Sequence, residues 1–256
     1  MLYKRGLGYS ALSTARAAIN SFTLTGDKLG QDTLIKRFMR GVFILRPALP
    51  RYNVTWDASK VLDYLSSISV NNLKQLTLTV VMLLCLLSGQ RLQSLHYIDM
   101  RNIEFSSDYV KIRFGDLLKQ SRPNYHLQEL VFKAFHDKRL CIVHLLKQYM
   151  NETKLLRNNE TALFISFCRP HKKVTKDTIG RWVKMVMKEA GIDISIFRPH
   201  SCRSSAASYV NKLRLPLATI LRTVGWSSDC TFRKYYNKPV TNDTSFADTI
   251  LSGNRS

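Results

Sequence analysis

The chain has 256 residues, 45% of them hydrophobic, which is enough to bury a core in one large domain or two unequal ones. Its 39 Lys and Arg against 18 Asp and Glu give a formal net charge of +21, so the expected partner is a polyanion, nucleic acid before an anionic membrane surface. The longest apolar run, residues 76–87, is too short to span a bilayer, and we expect no membrane partner. Without a secretion signal, the odd count of five cysteines predicts free thiols and an intracellular protein, and the six scattered histidines predict no metal site.

Two helical patterns open the chain, over residues 9–22 and 30–44, where apolar side chains recur at helical spacing. Two prolines in the stretch RPALP then favour an extended linker at about 46–56. We therefore predict a small helical domain over residues 1–54, followed by a larger domain over residues 57–240.

The larger domain begins with Asp57 as a predicted helix N-cap and continues into a long helical stretch that breaks near Gly89. Three short strands are predicted after it, at residues 109–114, 129–132 and 162–166. Further helices are predicted at residues 138–156, at residues 177–190 and between Ser201 and Tyr236, the last stretch with turns at Pro216 and Gly225. The predicted fold class is mainly α with a small antiparallel β-sheet.

Four segments, in a fixed order, carry residue types suited to cutting a DNA strand. Such a reaction needs fixed cations for the extra negative charge on the phosphate, a nucleophile and an acid for the leaving oxygen. Each segment alone is a common pattern, and the ordered set is what indicates this chemistry. The residues concerned are Arg91, Lys119 in the turn between two strands, His200 and Arg203 three positions apart, Trp226, and the pair Tyr235 and Tyr236.

This ordered set resembles the tyrosine recombinase superfamily over roughly residues 57–240. The segments LLKQSRPNYH, TIGRWVKMVMKEAGID, PHSCRSSAASYV and ILRTVGWSSDCTFRKYYNKP further resemble recombinases of DIRS-type and related eukaryotic mobile elements. The resemblance implies a tyrosine recombinase catalytic domain preceded by a reduced core-binding domain that clamps DNA. It also implies DNA strand cleavage and rejoining through a 3′-phosphotyrosyl intermediate, with no cofactor.

The resemblance also implies a role for each residue. Arg91 and Arg203 would bind the scissile phosphate, His200 would contact the same phosphate and accept the tyrosine proton, and Lys119 would protonate the leaving 5′ oxygen. Trp226 stands where many relatives have histidine, and its indole N–H donates a hydrogen bond but does not titrate.

Two patterns disagree on the nucleophile. In many relatives the tyrosine follows the histidine or tryptophan by nine residues, which gives Tyr235 here. The mobile-element relatives have a TFxxFY-like segment, which TFRKYY matches with Tyr236 in the last position. A phenylalanine cannot attack phosphate, so this pattern favours Tyr236 and leaves Tyr235 as the alternative.

Two features depart from the family's usual pattern. Ser94 stands three residues after Arg91, where many relatives have an acidic residue, so the support for Arg91 is unexplained by sequence. The N-terminal domain is also short, and a helical extension packed on its own catalytic domain is the alternative interpretation.

The expected partners are double-stranded DNA and three further copies of the chain, because recombination joins two duplexes in a tetramer. The tail, residues 241–256, contains SFADTIL and is predicted to dock on a neighbouring subunit. A eukaryotic mobile element would place the protein in the nucleus.

A catalytically silent DNA-binding protein and a type IB topoisomerase-like enzyme remain alternative functions. The basic side chains predicted to contact DNA are Lys36, Arg37, Arg40, Arg122, Arg181 and Lys184.

Overall fold

A computed structural model describes residues 1–22, 29–48, 52–119, 121, 123–124, 126 and 129–241. It divides into two compact units, the first over Met1–Tyr52 and the second beginning at Asn53. The SFADTIL segment and Arg122 lie outside the described residues.

The first unit is a pair of helices, α1 (Tyr9–Phe22) and α2 (Thr33–Leu45), which confirms both predicted helical patterns. Asp32 caps α2 by accepting a hydrogen bond of 2.8 Å from the backbone N–H of Ile35. The small core between the helices consists of Leu12, Met39 and Val42, with four partly buried residues around it.

The second unit is built around α4 (Leu73–Ser88), which is buried on nearly every side and packs against four other helices. This explains the apolar run at residues 76–87, since a helix surrounded by others needs no polar face. Asp57 caps α3 (Ala58–Ser67) as predicted, accepting from the N–H of Ser59 at 2.9 Å. The other helices of this unit are α5 (Leu92–His96), α6 (Ile142–Thr153), α7 (Lys176–Glu189), α8 (Cys202–Lys212), α9 (Leu217–Val224) and α10 (Asp229–Tyr235).

In the described residues, this unit also contains a three-stranded antiparallel sheet whose strands pair in chain order. Its strands are β1 (Ile103–Phe105), β2 (Tyr109–Arg113) and β3 (Glu129–Lys133), with Ile103 opposite Ile112 and Ile112 opposite Leu130. The two strands predicted at 109–114 and 129–132 are confirmed.

The third strand was predicted at the wrong place. Residues 162–166 form only isolated bridges, and the sheet's third strand is β1. The carbonyl oxygens of Ala162 and Leu163 accept hydrogen bonds of 2.6 and 2.7 Å from the buried guanidinium of Arg157 instead of pairing in a ladder. This segment is apolar because Leu163 and its neighbours lie in the core.

Among the residues described, no helix is both long and apolar enough to cross a membrane.

Candidate active site

The turn that carries Arg91 is fixed by the two residues before it. Gly89 ends α4 in a left-handed conformation, with φ of +57°, and a Cβ built there would lie 2.9 Å from Cγ2 of Val224. The side-chain amide of the buried Gln90 donates to the carbonyl oxygens of Thr223 and Val224 at 3.0 and 3.2 Å. These contacts lock the turn against the end of α9 and hold Arg91, which is half-buried, at the start of α5.

Arg203 lies in the first turn of α8 and is only 3% exposed. Its Nη1 donates a hydrogen bond of 2.6 Å to the carbonyl oxygen of Gly89. Its Cζ lies 4.6 Å from the centre of the Trp226 ring, so the guanidinium rests on the indole face in a desolvated setting. Arg203 therefore contacts both the turn that precedes Arg91 and the tryptophan of the fourth segment.

Trp226 is 7% exposed and packs in an apolar cluster with Phe232, Ile220 and Val224. In the described part of the chain, its Nε1–H is buried and has no hydrogen-bond partner. A buried donor left unsatisfied costs about 1–3 kcal/mol. The N–H is therefore available to an acceptor from beyond the described residues.

The two tyrosines occupy different environments. Tyr236 packs against the Trp226 cluster, with its ring centre 4.6 Å from that of Trp226 and 5.5 Å from Cζ of Arg203. Tyr235 is 56% exposed at the end of α10, and its ring lies 5.2 Å from Nζ of Lys234. Tyr236 is thus the tyrosine adjacent to Arg203.

His200 lies in a 3-10 turn, Pro199–Ser201, that leads directly into α8, and its side chain is exposed. Two residues, Ser201 and Cys202, separate it from Arg203, and burial raises the pKa of the Cys202 thiol well above its usual value of 9.0. That thiol stays neutral, so it is a packing group and a poor nucleophile.

Lys119 belongs to the connection between β2 and β3, in a turn closed by the N–H of Ser121 donating to the carbonyl oxygen of Leu118 at 2.8 Å. Its side chain is exposed, and in the described residues none of the contacts around Arg203 involves it. His126, in the same connection, lines a cleft of about 890 Å³ that Trp226 and Thr223 also line. The connection and the Trp226 cluster therefore border one cavity.

The other basic residues predicted to contact DNA lie on two helices. Arg181 and Lys184 are exposed on α7, where Arg181 donates to Oγ1 of Thr178 at 2.8 Å. Lys36, Arg37 and Arg40 are exposed on α2, in the first unit.

Gln90 is a site residue that the sequence did not reveal. A neutral amide beside a glycine gives no signal of its own, and its partners Thr223 and Val224 are more than 130 positions away.

The fold and the cluster around Arg203 define the class: this is the fold of a tyrosine recombinase catalytic domain, mainly helical with a small antiparallel sheet. Residues 57–241 match the phage integrase family, and the chain belongs to this family. No curated protein matches the chain.

Three solved structures illustrate the likeness. The XerH site-specific recombinase bound to palindromic difH substrate, a post-cleavage complex, has a TM-score of 0.64 and 16% identity, over 91% of this chain and 65% of that one. The Tn1549 transposon integrase in complex with transposon right end DNA has a TM-score of 0.63 and 12% identity, over 99% of this chain and 81% of that one. A lambda integrase tetramer bound to a Holliday junction has a TM-score of 0.50 and 18% identity, over 93% and 61%. The chain thus spans about two thirds of the XerH and lambda integrase chains, and at these identities the likeness concerns the fold.

Proposed function

We propose that this chain cleaves and rejoins DNA through a covalent bond to Tyr236. One observation carries the proposal: the indole ring of Trp226 lies beside the guanidinium of Arg203 and the ring of Tyr236, and its buried N–H has no partner in the described part of the chain. A donor, a fixed cation and a phenol in one cluster match the needs of a phosphodiester that gains negative charge as it is attacked.

The proposed reaction balances without an outside reagent. Oη of Tyr236 attacks the scissile phosphorus, forming a 3′-phosphotyrosyl bond and breaking the bond to the 5′ oxygen. Arg91, Arg203 and the Trp226 N–H bind the phosphate oxygens, and His200 accepts the tyrosine proton. Lys119 gives a proton to the leaving 5′ oxygen, and the reverse sequence reseals the strand. The bond energy stays in the phosphotyrosyl link, so the proposal assigns no step to a metal or a nucleotide.

Double-stranded DNA is the proposed partner, and a tetramer on two duplexes is the proposed assembly. The net charge of +21 supports the first. The structures of similar fold support both, since the XerH and Tn1549 proteins are bound to DNA and lambda integrase is a tetramer on a Holliday junction. We propose the first unit as a reduced DNA clamp and the tail, residues 241–256, as a segment that docks on a neighbouring copy.

A finer assignment is that the chain belongs with the recombinases of DIRS-type and related eukaryotic mobile elements. The four segments that resemble those proteins support it, and it implies work in the nucleus. Sequencing the junctions formed on the ends of the source element tests this assignment.

Covalent trapping tests the proposed reaction. A pool of nicked duplexes with randomised sequence and a 5′-bridging phosphorothiolate traps any protein that attacks, because the sulfur leaving group cannot rejoin. We expect a protein–DNA adduct that is lost in Tyr236→Phe and kept in Tyr235→Phe, and the reverse result would move the nucleophile to Tyr235. Binding without any adduct would indicate a silent DNA-binding protein. Relaxation of a supercoiled plasmid by the monomer, without strand exchange, would indicate a topoisomerase-like enzyme.

A further inference from the structure

One face of α8 is lined by serines that hold two other segments of the site. Ser201, directly before α8, and Ser205 and Ser208, within it, are spaced by four and three residues. This spacing places them on one side of the helix, and we call them the serine face. All three are buried, with exposures of 3% or less. Serines gain little from apolar burial, so their place in the core depends on the hydrogen bonds they make.

The serine face binds the tyrosine segment at one end. Oγ of Ser208 donates a hydrogen bond of 2.7 Å to the carbonyl oxygen of Tyr236 and accepts one of 3.0 Å from the backbone N–H of Lys238. The same helix carries Arg203 in its first turn. A single rigid element therefore sets the spacing between the guanidinium and the backbone of the proposed nucleophile.

The serine face binds the beginning of the catalytic unit at its other end. The indole N–H of Trp56 donates to Oγ of Ser201 at 2.8 Å, and Oγ of Ser205 donates to the carbonyl oxygen of Trp56 at 2.9 Å. Trp56 is 2% exposed. Ser201 is the residue directly after His200, so Trp56 holds the turn from which His200 projects.

Thr55 completes the arrangement. Its N–H donates to the carbonyl oxygen of Pro239 at 2.8 Å, and its own carbonyl oxygen accepts from the N–H of Thr241 at 2.7 Å. Three elements are thus bonded in pairs: α8 with the tyrosine segment, the tyrosine segment with Thr55, and Trp56 with α8. Such a closed ring of hydrogen bonds resists displacement of any one member.

We infer that Trp56 and Ser208 are positioning residues, which hold Tyr236 and the His200–Arg203 turn at the separation that the cleavage reaction requires. Neither touches the reacting atoms, and both act through the backbone of residues that do. The inference rests on the proposed function and adds to it the elements that set its geometry.

Two mild substitutions test the inference. Trp56→Phe keeps an aromatic ring and removes the N–H, and Ser208→Ala removes both bonds to the tyrosine segment. A small misplacement of reacting groups slows a reaction by about 10- to 100-fold. We expect that loss in the single-turnover rate of adduct formation on a duplex selected from the phosphorothiolate pool, with the dissociation constant for the same duplex, measured by fluorescence anisotropy, changed by less than about twofold, because the DNA-facing side chains are untouched.

A double-mutant cycle separates the effect of the Trp56–Ser201 hydrogen bond from other effects of changing the Trp56 ring. Ser201→Ala removes the acceptor of the Trp56 N–H. If the bond matters, Trp56→Phe combined with Ser201→Ala reacts no more slowly than the slower single variant. Additive losses would overturn the assignment to this bond.

Tyr149→Phe is the matched control. Tyr149 is also a fully buried aromatic residue of the same unit, and it lies on α6, which carries none of the proposed reacting groups. Its hydroxyl accepts a hydrogen bond of 3.3 Å from the N–H of Ile165. We expect it to lower thermal stability and leave the adduct rate unchanged. Equal slowing in this control, or a wild-type rate in both Trp56→Phe and Ser208→Ala, would overturn the inference alone. A wild-type chain that forms no adduct would overturn the proposed function, and this inference with it.

Discussion

The guanidinium of Arg203 donates a hydrogen bond of 2.6 Å to the carbonyl oxygen of Gly89, a residue 114 positions earlier in the chain. The left-handed conformation of Gly89 directs that carbonyl, and Gln90 fixes the turn against α9. The bond therefore joins the turn that holds Arg91 to the helix that holds Arg203.

Gly89→Ala should lower the free energy of unfolding. A left-handed conformation costs a residue with a Cβ about 1–2 kcal/mol. The contact of 2.9 Å with Val224 should add about 1–3 kcal/mol of overpacking. Gly191→Ala is the control, since Gly191 has φ of +75° and no atom within 4 Å of a built Cβ. Denaturant unfolding checks the difference, and equal losses in the two variants would argue against the close contact.

Trp226→Phe should slow adduct formation on the order of 100-fold, the effect of removing one donor to a charge that develops in the transition state. The phenyl ring still packs against Tyr236 and Phe232, so folding should persist. Trp226→His restores a ring N–H and should recover part of the rate. Single-turnover trapping measures both variants. A Phe variant as fast as the wild type would show that the buried N–H of Trp226 has no part in the reaction.

DNA affinity should fall steeply as salt is raised, because Lys and Arg side chains displace counterions from the phosphates. Arg181→Ala and Lys184→Ala should each reduce the slope of log K against log salt by about 1. Arg101→Ala removes the same charge from a side chain already paired with Asp99 at 2.8 Å, and it should leave the slope unchanged. Titrations at several salt concentrations decide this, and a shared slope for all three variants would exclude α7 from the DNA surface.

Protonation of Asp99 at low pH should lower the free energy of unfolding. Hydrogen bonds from the Arg101 side chain, which outweigh the opposing effect of burial, lower the pKa of Asp99 from 3.8 to about 2. A carboxylate whose pKa is lower in the folded state stabilises the fold above about pH 4 and loses that contribution as the pH falls toward 2. Asp99→Asn should therefore be less stable than the wild type at neutral pH, and the difference should shrink below about pH 4. Urea unfolding at a series of pH values measures it, and a difference independent of pH would contradict the role of the carboxylate.

Local patterns in the sequence predicted local structure well. The stop at Gly89, the cap at Asp57 and the alternation in residues 109–114 each depend on neighbours a few positions away, and all three are found. The prediction of a third strand at residues 162–166 was wrong because burial in the core and burial in a sheet give the same apolar run. The observed strand β1 has only three residues, which are too few to form a pattern.

The site was predictable as a set of residue types and not as a geometry. Spacing from Trp226 pointed to Tyr235 and the TFxxFY-like pattern pointed to Tyr236, so the sequence left both tyrosines open. Tyr235 is exposed, whereas Tyr236 packs against the cluster that contains Phe232 and Trp226, and no local pattern encodes this difference. The same is true of Gln90 and Trp56, whose partners lie more than 130 positions away.

The parallel bridge between Thr55 and Val240 has a consequence for protein engineering. It places the two ends of the stretch that matches the phage integrase family side by side. Proteins with adjacent ends tolerate circular permutation and insertion into a host loop. A short linker from Thr241 back to Asn53, with new ends opened in an exposed loop, should yield a permuted catalytic unit that still folds. The same proximity makes residues 53–241 a natural cassette for grafting into another DNA-binding scaffold.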